Sequence, residues 1–147
     1  MERISKDEYF SRMADLVSQR ATCKRRSVGC VLVSAAGHVL ATGYNGVPAG
    51  GTHCIDIPCP GAQYPSGVGL DHCEAIHAEQ NALLQCRDVN LIHTAYVTTM
   101  PCMTCIKLLL NTSCQRIVYG QEYPQQEAKE FWKKNGRIIL STAEALS

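Results

Sequence analysis

The chain carries almost no excess of charge of either sign: 14 Lys and Arg stand against 13 Asp and Glu, a formal net charge of +1 over 147 residues. Proteins that live on duplex nucleic acid or on an anionic membrane surface usually carry a strong basic excess, so this balance argues against both. A small anionic substrate stays open, because it needs only a local cationic pocket. Long hydrophobic runs are lacking as well. No stretch approaches the roughly 20 apolar residues of a transmembrane helix, and the polar segment after Met1 lacks the apolar core of a signal peptide. The expectation is a cytoplasmic protein with no membrane partner. Repeats, linkers and low-complexity tracts are also missing, which predicts one domain over residues 1–147, long enough to bury a core.

What the chain does have is cysteine, nine in all. In a reducing compartment these read as metal ligands and buried thiols rather than disulfides, and the odd count points the same way.

Ser5-Lys6-Asp7-Glu8 has the spacing of a capping box, and Tyr9, Met13, Leu16 and Val17 follow at helical period, predicting a helix over 5–19. Two Val-rich or apolar runs, 28–34 and 38–44, flank Ala35-Ala36-Gly37 and predict a hairpin. Gly and Pro concentrate between Asn45 and Asp71, a loop long enough to need either a function or an anchor. Beyond it the pattern predicts helices over 76–86, 102–110 and 125–134, and strands over 95–99, 116–119 and 137–140. Strands alternating with helices over this length imply an α/β domain with helices covering one sheet.

The chemistry concentrates in His77-Ala78-Glu79 and Pro101-Cys102-Met103-Thr104-Cys105. One imidazole and two thiolates make a three-ligand zinc site with a fourth position left for water. H-x-E followed by P-C-x-x-C is the signature of zinc-dependent nucleobase deaminases, in which the Glu is an unliganded general acid and base. Residues two apart do not share a helix face, so His77 and Glu79 converge only beyond a helix N-terminal tip, where first-turn side chains fan around the axis. The same holds for Cys102 and Cys105 after Pro101, a residue favoured at helix starts. The partial positive charge of both tips favours thiolates. Neutral His and two thiolates cancel the charge of Zn²⁺, and Glu79 is placed to move protons while water attacks C4 of a cytosine.

These motifs resemble the cytidine deaminase superfamily, and within it the deoxycytidylate (dCMP) deaminase branch. Tyr44-Asn45-Gly46-x-Pro48-x-Gly50, His77-Ala78-Glu79-x-Asn81-Ala82-Leu83 and Tyr96-Val97-Thr98 before Pro101-Cys102-x-x-Cys105 carry the likeness. Ala21-Thr22-Cys23 and His72-Cys73 also resemble the late-competence deaminase-like proteins of bacteria. The resemblance implies a three-layer α/β/α sandwich around a five-stranded mixed sheet, often assembled as a homohexamer. It implies conversion of dCMP and water to dUMP and ammonia for thymidylate synthesis, with dCTP activating, dTTP inhibiting, and Mg²⁺ accompanying the nucleotide. It further implies that Asn45 contacts the deoxyribose and that Gly43, Tyr44, Asn45, Gly46 and Gly50 lie near the effector site.

A phosphate dianion wants directional cationic donors, and Lys24-Arg25-Arg26 precedes the first strand, so Arg25 or Arg26 is the candidate, with Tyr123 as a hydroxyl donor. Cys30, Cys86 and Cys114 have apolar neighbours and read as buried thiols. Cys23, Cys54, Cys59 and Cys73 remain, enough for a closed structural zinc that would pin the long loop, with His53 or His72 able to replace one of them. Two rivals stand beside the dCMP reading. A tRNA adenosine deaminase shares the zinc motif but needs a cationic surface that this composition does not advertise. A catalytically idle zinc scaffold has no physical need for Glu79.

Overall fold

The structure is a computed structural model and describes residues 2–22, 26–46 and 76–147. Its elements run α1 (Lys6–Ser18), β1 (Gly29–Ser34), β2 (Val39–Tyr44), α2 (Ala78–Gln85), β3 (Ile92–Thr99), α3 (Met103–Leu110), β4 (Arg116–Gln121), α4 (Gln126–Lys134), β5 (Ile138–Ser141) and α5 (Thr142–Leu146). Most of the loop expected over 45–71, with its candidate zinc ligands Cys54, Cys59 and His53 and the effector-site residue Gly50, lies outside the described residues, as do Cys23, Arg25, His72 and Cys73.

Each element starts where its residues dictate. The Ser5 hydroxyl accepts from the Glu8 N–H at 3.1 Å and caps α1, whose Phe10 and Ala14 turn inward. The hairpin turn closes with the Gly37 N–H on the Ser34 carbonyl, and Gly37 takes φ 84°, which a side chain would resist. The strands form one sheet in the order β2-β1-β3-β4-β5. β1 pairs antiparallel with both β2 and β3, whereas β3, β4 and β5 run parallel, so the sheet is mixed.

Alternation along the central strands splits the core in two. Cys30, Leu32, Ala95, Val97, Ile117 and Tyr119 face Ala82, Ile106, Leu109 and Trp132 of α2, α3 and α4. Val31, Val33, Tyr96 and Val118 face Phe10 and Ala14 of α1, with Ala145 of α5 alongside. Helices therefore cover both faces, the α/β/α sandwich expected. Trp132 is fully buried with its indole N–H donating to the Ile138 carbonyl at 2.8 Å; burial of a side chain that large stabilises by about 2–3 kcal/mol. Arg137 closes the far end of α3, donating to the carbonyls of Leu109, Leu110 and Cys114 at 3.2, 2.9 and 2.8 Å while its guanidinium lies over the Trp132 ring. Carbonyls orphaned by the helix end are satisfied there by one cation.

Several boundaries differ from the sequence expectation for identifiable reasons. The helices expected from 76 and 102 begin at Ala78 and Met103, because His77 and Cys102 are extended cap residues. β3 starts three residues early, since Ile92 already pairs with Ser34 after a short turn capped by Asp88. α5 was not anticipated, although Ser141-x-x-Glu144 is a capping box: the Glu144 N–H donates to the Ser141 hydroxyl and the Ser141 N–H to the Glu144 carboxylate. Cys30 and Cys114 are buried as expected, but Cys86 is only half-buried, because it is the residue at which the chain leaves α2.

Candidate catalytic site

Two helix tips meet on one face of the sheet. α2 packs against β2 and β1, and its approach is set by Gly43, where a Cβ would stand 2.3 Å from the Ala82 nitrogen and 2.4 Å from the Ala78 carbonyl oxygen. Backbone rests on backbone at that point. The Asn81 side chain adds a tie, donating to the Tyr44 carbonyl at 2.8 Å. α3 follows β3 through Met100-Pro101, with the Met100 N–H donating to the Gln121 carbonyl at 2.8 Å. The Gln125 side-chain oxygen then accepts from the Met103 N–H, one of the orphan donors of that tip.

This framework brings His77, Cys102 and Cys105 together. His77 caps α2 with extended backbone, and its N–H donates to the Gln80 side chain at 2.9 Å. Cys102 caps α3 and Cys105 lies one turn in. His77 Nδ1 stands 3.5 Å from Cys102 Sγ and 3.3 Å from Cys105 Sγ. Tetrahedral zinc with ordinary Zn–N and Zn–S bonds sets the nitrogen and sulfur about 3.6 Å apart, so the donors already stand at the edge length a zinc ion needs. Among the described residues this is the one His, Cys, Asp or Glu cluster close enough to share a metal ion.

Electrostatics suit that use. The Cys102 thiol is drawn down to about 4, chiefly by a hydrogen bond from the Cys105 thiol and also by His77, against the opposing effect of burial. Cys105 is pushed up, because it donates to the Cys102 sulfur and is buried. A thiolate favoured at Cys102 suits a site that binds a dication. His77 is raised by its hydrogen bond with the Cys102 sulfur, with burial opposing. Glu79, in the first turn of α2 and 4% exposed, has its carboxyl raised by burial above the usual carboxylate range.

Arg26 belongs to the same electrostatic neighbourhood: its charge favours ionised Glu79 and disfavours protonated His77. Its guanidinium lies 4.9 Å from the centre of the buried Tyr123 ring, so the two residues singled out for phosphate sit together. Asn45 is 6% exposed and turned into the protein, accepting from the Val28 N–H at 2.8 Å and donating to the Arg26 carbonyl at 2.9 Å. Gly43 lies under α2 and Tyr44 is half-buried. Gly46 forms an isolated antiparallel bridge with Ile76, N–H to carbonyl in both directions at 3.1 and 2.7 Å, joining the residue after Asn45 to the residue before His77. Asn81 entered the sequence reading only as part of the His77–Leu83 motif, and the supporting residues Gln80 and Gln125 escaped it. Only Gln80 left a signal there, a Gln three residues after a cap.

Comparison with known proteins is consistent across sequence and structure. Residues 4–121 match the family model described as the cytidine and deoxycytidylate deaminase zinc-binding region. Deoxycytidylate deaminase of Saccharomyces cerevisiae is 40% identical over 140 residues, which is 94% of this chain but 45% of the yeast protein, so the chain spans less than half of that relative. Deoxycytidylate deaminase of Mycobacterium phage D29 is 42% identical over 130 residues, covering 83% of this chain and 99% of the phage protein. The crystal structure of dCMP deaminase from the cyanophage S-TIM5 in complex with dCMP and dUMP superposes with a TM-score of 0.76 at 26% identity, over 96% of this chain and 99% of that one. With a family match across most of its length and donor atoms at zinc spacing, the chain belongs to the cytidine and deoxycytidylate deaminase family.

Proposed function

We propose that this chain, as one deaminase domain, hydrolyses dCMP to dUMP and ammonia and so supplies dUMP for thymidylate synthesis in the cytoplasm. The observation that carries the reading is the placement of His77, Cys102 and Cys105 at zinc-edge spacing with the buried Glu79 carboxyl in the same helical turn as His77. Kinship supports the base and its carrier, since the yeast and mycobacteriophage relatives are deoxycytidylate deaminases and the cyanophage enzyme is seen with dCMP and dUMP. Zn²⁺ held by the imidazole and two thiolates would supply a water acidified toward a pKa of about 7. Glu79 then does the proton work. It would accept a proton from that water and pass it to N3 of the cytosine as oxygen bonds to C4, then take the proton of the new C4 hydroxyl and give it to the amine, so that the C–N bond breaks, ammonia leaves and the C4 carbonyl forms. Burial suits it to both duties by lifting its carboxyl toward the working pH.

Arg26, stacked on Tyr123 within electrostatic reach of the site, is the residue for the 5′-phosphate; Arg25 shares the same basic run. The motif resemblance to the deoxycytidylate deaminase branch further implies a homohexamer, dCTP as activator, dTTP as inhibitor, Mg²⁺ with the nucleotide, and effector contacts at Gly43, Tyr44, Asn45, Gly46 and Gly50. A second, structural zinc drawn from Cys23, Cys54, Cys59 and Cys73, with His53 or His72 as substitutes, completes the proposal. Metal analysis should return two zinc ions per chain, falling to one in Cys54→Ser.

The first test is ammonia release from dCMP, deoxycytidine and CMP by zinc-replete protein, with and without dCTP and Mg²⁺. Turnover of dCMP that disappears in Glu79→Ala is expected, as is an Arg26→Ala variant that loses far more on dCMP than on deoxycytidine. Equal losses on the two substrates would remove Arg26 from the phosphate. No turnover with one zinc at His77, Cys102 and Cys105 would leave the idle scaffold standing.

A further inference from the structure

The turn from β3 into α3, Met100-Pro101-Cys102-Met103, is held from one side by the segment that closes β4 and leads into α4. At the start of the turn the Met100 N–H donates to the Gln121 carbonyl at 2.8 Å. At its end the Met103 N–H donates to the Gln125 side-chain oxygen at 3.3 Å. Pro101 has no N–H to offer, so these two bonds bracket Cys102 from within residues 121–125. The first bond is backbone to backbone and is open to any residue at position 121. The second depends on the side chain, because Gln carries an acceptor at the end of its stem where Ala or Met carries none.

Segment 121–125 is itself anchored. The Tyr119 hydroxyl donates to the Glu122 carboxylate at 2.6 Å, and Lys129 reaches back from α4 to both, at 2.6 and 3.0 Å. Tyr123 is buried, and the Gln125 carbonyl accepts from the Ala128 N–H at 3.1 Å. One half-buried residue therefore joins two helix starts: its backbone opens α4 and its side chain ends on the first turn of α3. That turn carries Cys102 and Cys105, whose sulfurs stand 3.5 and 3.3 Å from His77 Nδ1 on a different helix. Ligands on separate elements keep a common focus only while the groups behind them hold each element still, and a tip tied at one point can pivot about it. From this bracket we infer that Gln125 is a positioning residue for the metal centre. By holding the Met103 N–H it aims both cysteine sulfurs at the point they share with His77. The inference rests on the zinc-binding role of His77, Cys102 and Cys105.

The test is the metal affinity of the folded protein, read by competition with a chelator for zinc and by the visible spectrum of the cobalt(II) form, whose bands are intense only in tetrahedral coordination. Subtracting the Cys102→Ala protein leaves the site of His77, Cys102 and Cys105 alone. Gln125→Ala is expected to weaken zinc binding there about tenfold, the lower end of what loss of an orienting partner costs a metal site, and to dim the cobalt bands. Gln125→Glu keeps an acceptor at the same reach and should return both close to the parent. No return would assign the effect to packing rather than to the bond and overturn the inference. Arg137→Ala loosens the far end of the same helix and should leave affinity and spectrum unchanged, which separates positioning from stability. If Gln125→Ala does not fold, Gln125→Met removes the acceptor and keeps the bulk. Parent affinity and spectrum in either variant would overturn the inference, as would equal weakening by Arg137→Ala. A Cys102→Ala protein that binds as much metal as the parent would instead bring down the zinc reading, and the inference with it.

Discussion

Gly43→Ala is the sharpest perturbation the fold offers, because one methyl group should dismantle a metal site to which it contributes no ligand. The added Cβ would stand 2.3 Å from the Ala82 nitrogen, 2.4 Å from the Ala78 oxygen and 2.9 Å from the Ala82 Cα, where ordinary contact begins near 3.4 Å. All three atoms are backbone of α2, so no side-chain rotation relieves the clash. The helix must retreat by about 1 Å, at an overpacking cost of about 1–3 kcal/mol. His77 and Glu79 ride on that tip, and Cys102 and Cys105 do not. The Nδ1 to Sγ separations of 3.5 and 3.3 Å would open by a similar amount, several times the roughly 0.2 Å that zinc–ligand bonds tolerate. Zinc content should fall well below that of the parent, and kcat for dCMP by about 100-fold, the usual penalty of a 1 Å misplacement. Zinc per chain after gel filtration, kcat and a urea unfolding curve read all three consequences. Ile117→Val in the buried sheet, worth about 0.5–1.5 kcal/mol, is the control for lost stability alone and should keep its metal. A Gly43→Ala protein that holds the parent's zinc and turnover would refute the claim that backbone contact at Gly43 locates the catalytic helix.

Two further substitutions test the scaffold away from the site. Asp7 accepts from both Arg116 guanidinium nitrogens, at 2.7 and 2.8 Å, and from the Tyr96 hydroxyl at 2.6 Å, and the Arg116 bonds hold its carboxyl below the usual range against burial. Its contribution is therefore complete above the unfolded carboxyl pKa near 4 and lost as pH falls through the lower folded value. The urea-midpoint gap between parent and Asp7→Asn should be widest near neutral pH and close below pH 4 (about the unfolded value); a constant gap would contradict the assignment. Arg137→Ala removes the donor to the Leu109, Leu110 and Cys114 carbonyls and should cost about 2–3 kcal/mol by urea unfolding, with the KM for dCMP unmoved.

Features set by local chemistry were legible in the sequence. The Ser5 cap, the apolar runs either side of Gly37 and the Cys-x-x-Cys after Pro101 each announce themselves within a few residues. The two helix tips could be inferred too, since residues spaced as His77 and Glu79 are cannot meet on a helix face. What escaped depends on partners distant along the chain. Nothing near Gly43 says that Ala78 and Ala82 will come to rest on it. Nothing near Asn45 says that its amide is taken by peptides 17 and 19 positions upstream. The early start of β3 is likewise decided by Ser34 across the sheet. α5 is a different failure: its capping box was visible, but five residues carry too little periodicity to register.

The Gly46–Ile76 bridge bears on how such a protein changes over generations. Two hydrogen bonds join the peptides of Gly46 and Ile76, within a residue of Asn45 and of His77. Because the bridge itself fixes the distance between its two peptides, the end of β2 and the start of α2 keep their spacing across a lineage as long as those two hydrogen bonds are kept. A segment transplanted from a relative between these same two peptides inherits a ready-made socket beside the metal-binding helix.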